Sequence, residues 1–357
     1  MSQKGIFRYN PDNFKTYNLR ARGSVQAFPW LQVENDLSFT QTDYFYPILN
    51  HPNNTPVWRR VSDEAFPIAM LRNPDGTLTE NASIVFGSFI SGNNQSELSR
   101  MQIRNTSRFT AGLFRNKVHV NGDFTFWKLN DVETRTYTPV PYSKKPGAML
   151  ERGESKINED DDKTTYLAAN LYAEYEHSFR KHYFKAMAGY NYENSLLKSR
   201  YVQRDGIINN ALPDFSLTNG QNFTLRGGGN EWRTIGGFFR LNYNFDERYL
   251  LEVNGRYDGT SKFPQTQQWG FFPSASAGWR VSKEKFWTLP YKAVSDLKLR
   301  ASYGTLGNGN VQPYQFLESM TVSQMSRILN GIRPDYTQHP NVIPAGLTWE
   351  KATTLNL

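Results

Sequence analysis

Residues 17–39 read YNLRARGSVQAFPWLQVENDLSF, and this stretch decides the fold class. Apolar and polar residues alternate on both sides of the Pro29-Trp30 dipeptide. The apolar set is Leu19, Ala21, Val25 and Ala27 before the dipeptide, and Leu31, Val33, Leu37 and Phe39 after it. A period of two is typical of a strand with one apolar face, and a short break between two such runs predicts an antiparallel hairpin.

The same hairpin design recurs three times, with turns at residues 115–117, 178–181 and 246–248. The alternating apolar residues are Phe109, Ala111, Leu113, Val118, Val120, Phe124 and Phe126 around the first of these turns, Leu167, Ala169, Leu171, Ala173, Phe184, Ala186, Ala188 and Tyr190 around the second, and Ile235, Phe239, Leu241, Tyr243, Tyr249, Leu251, Val253 and Tyr257 around the third. Residues 271–281, 297–304 and 347–357 continue the pattern. Counting a remnant at residues 5–9, the sequence predicts about twelve strands.

The connections between hairpins are long and rich in Asn, Asp, Gly, Pro and Ser: residues 47–100, 130–162 and 194–231. Such lengths are uncommon inside compact soluble domains. In transmembrane barrels the periplasmic turns are short and the extracellular loops are long. The sequence therefore predicts an all-β protein, an antiparallel transmembrane β-barrel, with its tight turns in the periplasm. Residues 282–295 are expected to form a short amphipathic helix at the periplasmic rim.

Composition narrows the classes of function. Mean hydropathy is −0.65, and no run of eighteen apolar residues is present to span a bilayer as a helix. The chain has no cysteine, which excludes disulfides and thiolate chemistry. Its net charge of +8 comes from 41 Lys and Arg that are dispersed among apolar residues rather than clustered, so we expect no nucleic-acid partner. The first ten residues lack the apolar core of a signal peptide.

Three segments carry a family resemblance: RYDGTSKFPQTQQWGFFPSASAGWRVSKEKF from Arg256, SDLKLRASYGTLGNGNVQPY from Ser295 and GLTWEKATTLNL from Gly346. Together they resemble the SusC/RagA family of TonB-dependent outer-membrane transporters. GIFRYNPDNFKTYNLR, from Gly5, is similar to the family's barrel at a point after the plug and the first strands. The likeness is dense from Phe238 onward and weak in the long loops.

The resemblance implies a barrel of twenty-two strands around an N-terminal plug, of which this sequence would supply about twelve. We expect residues 1–357 to be one barrel domain, a fragment without the plug, the TonB box and the C-terminal strands. The implied function is uptake of oligosaccharides or peptides through the outer membrane of a Gram-negative, Bacteroidetes-like cell. The implied partners are a SusD-like surface lipoprotein, the TonB complex acting through a part outside this sequence, and outer-membrane lipid.

Candidate chemistry is weak throughout. The acidic run at residues 159–162 lacks the spacing of an EF-hand and is interpreted as a solvated loop. The histidines show no zinc-binding spacing; they are His51, His119, His177, His182 and His339. Gly227–Gly229 lacks the Lys-Ser/Thr of a phosphate loop and is interpreted as a flexible loop. We therefore expect a non-enzymatic protein with no catalytic, cofactor-binding or metal residues, and with substrate-binding residues that the sequence does not identify.

Aromatic and basic residues have structural interpretations. Loop aromatics are expected to pack the loops together rather than bind ligand; they are Trp58, Phe66, Tyr137 and Tyr142. An aromatic girdle at a membrane interface is expected from Trp269, Phe271, Phe272 and Trp279. Arg20, Arg22, Arg280 and Arg300 are expected to line the lumen or a plug interface, where charge is tolerated.

Two alternatives remain open at this point. The apolar faces of the hairpins would also pack face to face in a soluble β-sandwich that acts as a binding module. A barrel without a plug would be a diffusion porin.

Overall fold

The computed structural model describes residues 1–5, 12–50, 57–64, 68–91, 93–115, 117–287, 294–340, 342–343 and 346–357. The strands are β1 (Ser2–Lys4), β2 (Asn13–Phe28), β3 (Leu31–Pro47), β4 (Gln95–Leu113), β5 (Val118–Tyr137), β6 (Val140–Ser143), β7 (Met149–Arg152), β8 (Lys156–Phe179), β9 (His182–Asp205), β10 (Phe223–Phe245), β11 (Tyr249–Thr260), β12 (Trp269–Arg280), β13 (Lys298–Asn308), β14 (Val322–Gln324), β15 (Asp335–Thr337) and β16 (Glu350–Asn356). The helices are α1 (Val57–Glu64), α2 (Glu80–Val85) and α3 (Gly87–Ile90).

One sheet of twelve strands forms the body of the protein, in the order β1-β2-β3-β4-β5-β8-β9-β10-β11-β12-β13-β16. All neighbouring strands are antiparallel. Two small hairpins, β6–β7 and β14–β15, lie apart from it. The continuous sheet confirms the all-β antiparallel prediction, and its single layer is not the face-to-face sandwich of the soluble alternative.

The four predicted hairpins are confirmed. At the third repeat, Asp246 and Glu247 have φ of 51° and 55°, and the N–H of Arg248 donates to the carbonyl of Phe245 at 2.9 Å. Positive φ at both central residues is the conformation of a type I′ turn, whose twist matches that of paired strands. Turns of this kind explain why consecutive strands stay in register.

The long connections were predicted too long. Of the three, residues 47–100 are mostly outside the sheet, but β5 continues to Tyr137 and β8 begins at Lys156. In the same way β9 reaches Asp205 and β10 begins at Phe223. Strands β8 and β9 have 24 residues each, whereas about 9–11 suffice to cross a bilayer. Beyond the bilayer both faces of a strand meet water, so the apolar alternation that marks a strand disappears.

Two loop interpretations were wrong for the same reason. Gly227–Gly229 lies inside β10, paired with residues 198–200 of β9. The acidic run at residues 159–162 lies inside β8, where alternate residues point to opposite faces. Both segments are polar strands rather than loops.

Two further expectations, a strand remnant and a short helix, fall partly outside the described residues. The remnant at residues 5–9 falls largely outside them, and the first described strand is β1. Of the helix expected at residues 282–295, the structure contains a 3-10 turn at Val281–Lys283, and residues 288–293 are not described. None of the described helices is long and apolar enough to cross a membrane.

One face of the sheet is apolar and exposed across its strands. Leu19 on β2, Leu171 on β8 and Leu299 on β13 are 68%, 52% and 55% exposed. A contiguous apolar surface of this extent is not normal for a protein surrounded by water. It matches the lipid-facing band of a transmembrane barrel, in which apolar residues point outward and polar residues point inward.

The connection between β3 and β4 packs on the hairpin β6–β7 through a small core of Leu78, Ala82, Val140 and Tyr142. Buried asparagines tie these parts together. The Nδ2 of Asn50 donates to the carbonyls of Thr138 and Glu154 at 2.8 and 2.7 Å, and its Oδ1 accepts from the N–H of Glu154 at 2.7 Å. Asn94 forms a similar pair of bonds with Thr138. The asparagine clasp, Asn50 and Asn94, therefore fixes the loop end of the barrel.

Replacing Asn50 with Leu is expected to loosen the loop end without unfolding the sheet. The change leaves the carbonyl and the N–H of Glu154 without their Asn50 partners, at a cost of about 1–3 kcal/mol for each group, whereas the carbonyl of Thr138 keeps its bond from Asn94. Hydrogen exchange should accelerate in residues 138–154 and remain slow in the paired part of β8 and β9. Asn310→Leu, at an exposed position, is the control. Equal protection of residues 138–154 in both variants would contradict the assignment.

Candidate functional site

The face opposite the apolar band is polar, and we call it the lumenal face. It carries Asn18, Arg20, Arg22 and Ser24 on β2 and the residues that share their register on the other strands. Between β10 and β16 this face curves around a groove of about 730 Å³, with Arg240, Glu252, Arg256, Arg300 and Thr354 among its lining residues. A polar wall of this kind is suited to contact water, solute or another polar protein segment.

The predicted lumenal arginines are on this face, mostly in ion pairs. Arg20 donates to both carboxylate oxygens of Asp36, at 2.9 and 2.6 Å. Arg22 and Arg108 share Glu34, at 3.0 and 2.7 Å. A bidentate guanidinium–carboxylate pair fixes the geometry of both groups. On β2, β3 and β4 the turn-side half of the wall is therefore a rigid, internally neutralised surface.

Arg280 and Arg300 sit in different surroundings. Arg280 lies at the turn end of β12, where Asp296 and Glu247 are its nearest carboxylates, at 3.6 and 3.9 Å. Arg300 lines the groove described above. Arg280 thus lies at the turn-side rim, and Arg300 is on the lumenal face.

A row of aromatic side chains crosses the lumenal face. Trp127 on β5 is paired with Tyr166 on β8, and their rings are 6.3 Å apart in an edge-to-face arrangement. Tyr166 and Trp232 on β10 approach to 6.4 Å across the small Ser195 of β9. The row ends at Lys262, whose Nζ lies 4.8 Å from the centre of the Trp232 ring. We call these five residues the upper aromatic row.

A second row lies six residues nearer to the turns. Tyr172 on β8 and Phe238 on β10 approach to 6.4 Å across Gly189, and Arg256 lies over the Phe238 ring at 5.4 Å. A Cβ at Gly189 would meet the Cβ of Tyr172 at 2.4 Å and the ring of Phe238 at 2.6 Å. Glycine is therefore required for the two rings to approach. We call these four residues the lower aromatic row.

Polar side chains fill the space between the rows. The hydroxyl of Tyr166 donates to Glu193 at 3.0 Å, and Asn191 donates to Asn170 at 3.2 Å. Asn170 in turn donates to Asp123 at 2.9 Å. The lumenal face thus alternates between ring faces and fixed hydrogen-bonding groups, a combination that ligand-binding surfaces use to combine contact area with orientation.

A charged cluster lies farther out, beyond the apolar band. Glu133 accepts hydrogen bonds from the hydroxyls of Tyr46 and Ser96, each at 2.6 Å, and from the Nε of Arg135 at 3.0 Å. Burial opposes ionisation of Glu133, but these donors outweigh it and lower its pKa. Burial and the bond to Glu133 raise the pKa of Tyr46. Glu133 is therefore held as a carboxylate that organises the outer rim.

The acidic run splits between the two faces of β8. Asp161 points outward and accepts from Lys163 at 2.8 Å and Arg200 at 2.9 Å. Asp162 points inward, and burial together with neighbouring Asp160 and Asp131 raises its pKa. Within the described ranges no group of three or more His, Cys, Asp or Glu side chains is arranged to hold a metal ion. The run is part of the wall and contributes charge to it.

The structure agrees with some of the predictions for aromatic residues and contradicts one of them. Trp269, Phe271 and Trp279 are exposed on the apolar face, as a girdle requires, but Phe272 points inward and is 8% exposed, packed at 5.2 Å from Trp349. Phe272 was assigned wrongly because the alternation places it opposite its neighbour Phe271. Tyr142 is buried in the loop core, as expected. Tyr137 lies at the end of β5 with Lys156 over its ring at 4.9 Å.

Two of the histidines lie among aromatic side chains on the apolar face. His182 joins the apolar-face aromatics near the turns, with its Nδ1 2.9 Å from the hydroxyl of Tyr243, and His177 stacks beside Tyr175. Phe66, His51 and the side chain of Trp58 lie outside the described part of the structure. Sequence reasoning missed both aromatic rows, because their members are far apart in sequence and only the strand register brings them together.

Comparison with known proteins agrees with this geometry. The family model "TonB dependent receptor-like, beta-barrel" matches residues 199–357. TonB-dependent receptor SusC of Bacteroides thetaiotaomicron is 26% identical over 304 residues, which cover 80% of this chain and 28% of SusC. Residues 199–357 thus match the barrel of TonB-dependent receptors, and the chain is a homologue of SusC. TonB-dependent receptor P26 of Formosa agariphila is 37% identical over 124 residues, 34% of this chain and 12% of that receptor.

Solved structures show the same fold. The RagAB peptide importer in its closed-closed state superposes with a TM-score of 0.73 at 18% identity, covering 99% of this chain and 39% of that chain. The chain therefore spans less than a third of SusC and about two fifths of the matched RagAB chain. Proteins of this family are outer-membrane β-barrels, and the described sheet is a wall of such a barrel.

The close approach at Gly189 gives a test of the lumenal wall. Gly189→Ala is expected to destabilise the folded barrel by about 1–3 kcal/mol, because the added methyl must displace packed rings. Gly237→Ala on β10, where an added Cβ meets nothing within 4 Å, should be neutral or slightly stabilising. Denaturant unfolding in detergent, followed by heat-modifiable electrophoretic mobility, measures both variants. Equal stability of the two variants would argue against the packed lower row.

Proposed function

We propose that this chain is the wall and outer rim of a TonB-dependent outer-membrane importer for oligosaccharides or peptides. The observation that carries the proposal is the two-faced sheet, exposed and apolar on one side and rich in fixed aromatic and polar groups on the other. Homology to SusC and the fold shared with the RagAB peptide importer support it. The wall binds and guides solute and carries out no covalent chemistry.

The proposal also covers the other parts of the transporter. Residues 1–357 contribute to one barrel domain, and a plug that TonB displaces would occupy the lumen against the ion-paired half of the wall, around Arg20 and Glu34. A SusD-like surface lipoprotein would cover the outer rim, where the asparagine clasp and the Glu133 cluster give a fixed surface. The cell would be Gram-negative and Bacteroidetes-like, because the homologue SusC is from Bacteroides thetaiotaomicron.

Uptake in the native host tests this function. A strain that lacks the gene should fail to deplete a subset of oligosaccharides or peptides from a mixed medium, measured by mass spectrometry. The same subset should be spared in wild-type cells when a protonophore collapses the proton-motive force, because TonB-dependent import consumes that force. Depletion that continues without the proton-motive force would support a diffusion porin. Purification from the outer membrane should also recover a lipid-anchored partner.

The lipid-facing assignment has its own test. Leu171→Arg places a charge in the middle of the apolar band and is expected to cost about 2–4 kcal/mol. Asn170→Arg, on the next residue of β8, points into the lumen and should fold at nearly the wild-type level. Outer-membrane abundance and folding into phospholipid vesicles measure the difference. Equal insertion of both variants would refute the orientation of the sheet.

A further inference from the structure

The contacts between cations and aromatic rings on the lumenal face follow a regular spacing. Arg226 lies over Tyr201 at 4.4 Å, Lys262 over Trp232 at 4.8 Å, and Arg256 over Phe238 at 5.4 Å. Cross-strand pairing places these contacts at three levels of the wall, which we call stations. Along β9 the levels fall at Tyr201, Ser195 and Gly189, and along β10 at Arg226, Trp232 and Phe238.

The stations are six residues apart on both strands, which is about 20 Å at roughly 3.3 Å per residue. An even number of residues keeps all three on one face, because side chains alternate with a period of two. The upper station lies beyond the apolar band, and the lower station lies within it. A solute that descends the wall would meet a ring face at each level and, within the described residues, an unpaired cation at the two outer levels, since Arg256 at the lowest level is paired with Asp258 at 2.9 Å.

Charge at the two outer stations is not neutralised within the wall. On β2 and β4 the arginines near the turns are paired with carboxylates, as Arg20 is with Asp36 and Arg108 with Glu34. Arg104, which is paired in register with Trp127, has no carboxylate at ion-pair distance within the described residues, and the same holds for Arg226 and Lys262. A cation over a ring that lacks an anionic partner is a site for an anion supplied from outside.

Two nearby carboxylates, those of Glu193 and Asp160, already accept hydrogen bonds from side chains of the wall. Glu193 accepts from Tyr166 and from Asn191. Asp160, the cross-strand neighbour of Tyr201, is held by Arg135 at 2.9 Å. On this face Glu193 and Asp162 have no cation at ion-pair distance within the described residues, and the three unpaired cations Arg104, Lys262 and Arg226 outnumber them.

Sugar rings present apolar C–H faces that pack on aromatic rings, while carboxylate or sulfate substituents pair with guanidinium and ammonium groups. We propose that the three stations form a track for an acidic oligosaccharide, with Trp127, Tyr166 and Trp232 contacting sugar rings and Arg104, Lys262 and Arg226 contacting their anionic substituents. The inference rests on the proposed uptake function and specifies its substrate class.

Binding to the full-length transporter tests the track. The probes are the hexamer of galacturonic acid, its fully methyl-esterified form, and a sulfated galactose hexamer, each titrated by calorimetry against detergent-purified transporter with any co-purifying lipoprotein. The esterified probe has the same skeleton without charge. Wild-type protein should bind one or both acidic probes about tenfold more tightly than the ester, since a hydrogen bond to a charged group is worth about 1.5–3 kcal/mol.

Matched variants separate charge from stacking. Arg104→Gln with Lys262→Gln should reduce the preference for acid over ester to nearly one. Lys128→Gln with Lys198→Gln removes the same charge from the opposite face of the sheet and should leave the preference intact. Trp232→Leu should weaken acid and ester alike, by about three- to tenfold.

Three results would overturn the track: equal wild-type affinity for acid and ester, an unchanged preference in Arg104→Gln with Lys262→Gln, or no binding of any probe. Sulfate and carboxylate recognition are distinguished by which acidic probe responds. Any of these three results would contradict the track. The proposed import function would still hold if uptake in the host requires the proton-motive force. If uptake in the host does not depend on the proton-motive force, both the track and the proposed import function are contradicted.

Discussion

The backbone hydrogen bond is the interaction on which the rest of this structure depends. In lipid an unpaired N–H or C=O costs several kcal/mol, so each spanning strand must be paired along its length with its neighbours. The strands inside the sheet satisfy this by consecutive antiparallel pairing, whereas the end strands β1 and β16 each have one neighbour among the described strands. Once the register is fixed, the face to which every side chain points is fixed too. The apolar band and the lumenal wall are two results of the same constraint.

The constraint also explains how a polar group survives on the lipid side. Asn35, Asn105 and Ser107 point outward, among Val33, Leu37 and the phenylalanines of β4 and β5. The Nδ2 of Asn35 donates to Asn105 at 3.1 Å and to Ser107 at 2.9 Å, and Asn105 donates back at 3.2 Å. A small closed network pairs these groups with one another, which reduces the cost of removing them from water. The alternation can thus be broken at one point without disturbing the pairing.

Much of the fold could be read from the sequence, and what escaped has a physical cause. The alternation around Leu19 and Leu171 identified the hairpins, because lipid on one side and solvent on the other impose a period of two. The same signal vanished where β8 and β9 leave the membrane, so polar strands were taken for loops. The lumenal rows were invisible for a different reason. Trp127, Tyr166 and Trp232 become neighbours only through cross-strand register, which single-strand patterns do not encode.

Register likewise accounts for the difference between the two halves of the lumenal wall. Near the turns it places Arg20 opposite Ser38. Asp36 is two residues from Ser38 on the same face, so Arg20 and Asp36 neutralise each other within the wall. Farther out it places Arg104 opposite Trp127, and Arg226 opposite Tyr201, where the guanidinium of Arg226 lies over the ring at 4.4 Å. A ring attracts a cation but leaves its charge uncancelled. On β2, β3 and β4 the inner half of the wall is therefore internally neutralised, whereas among the described residues the outer half retains unpaired cations toward the solution from which solutes arrive.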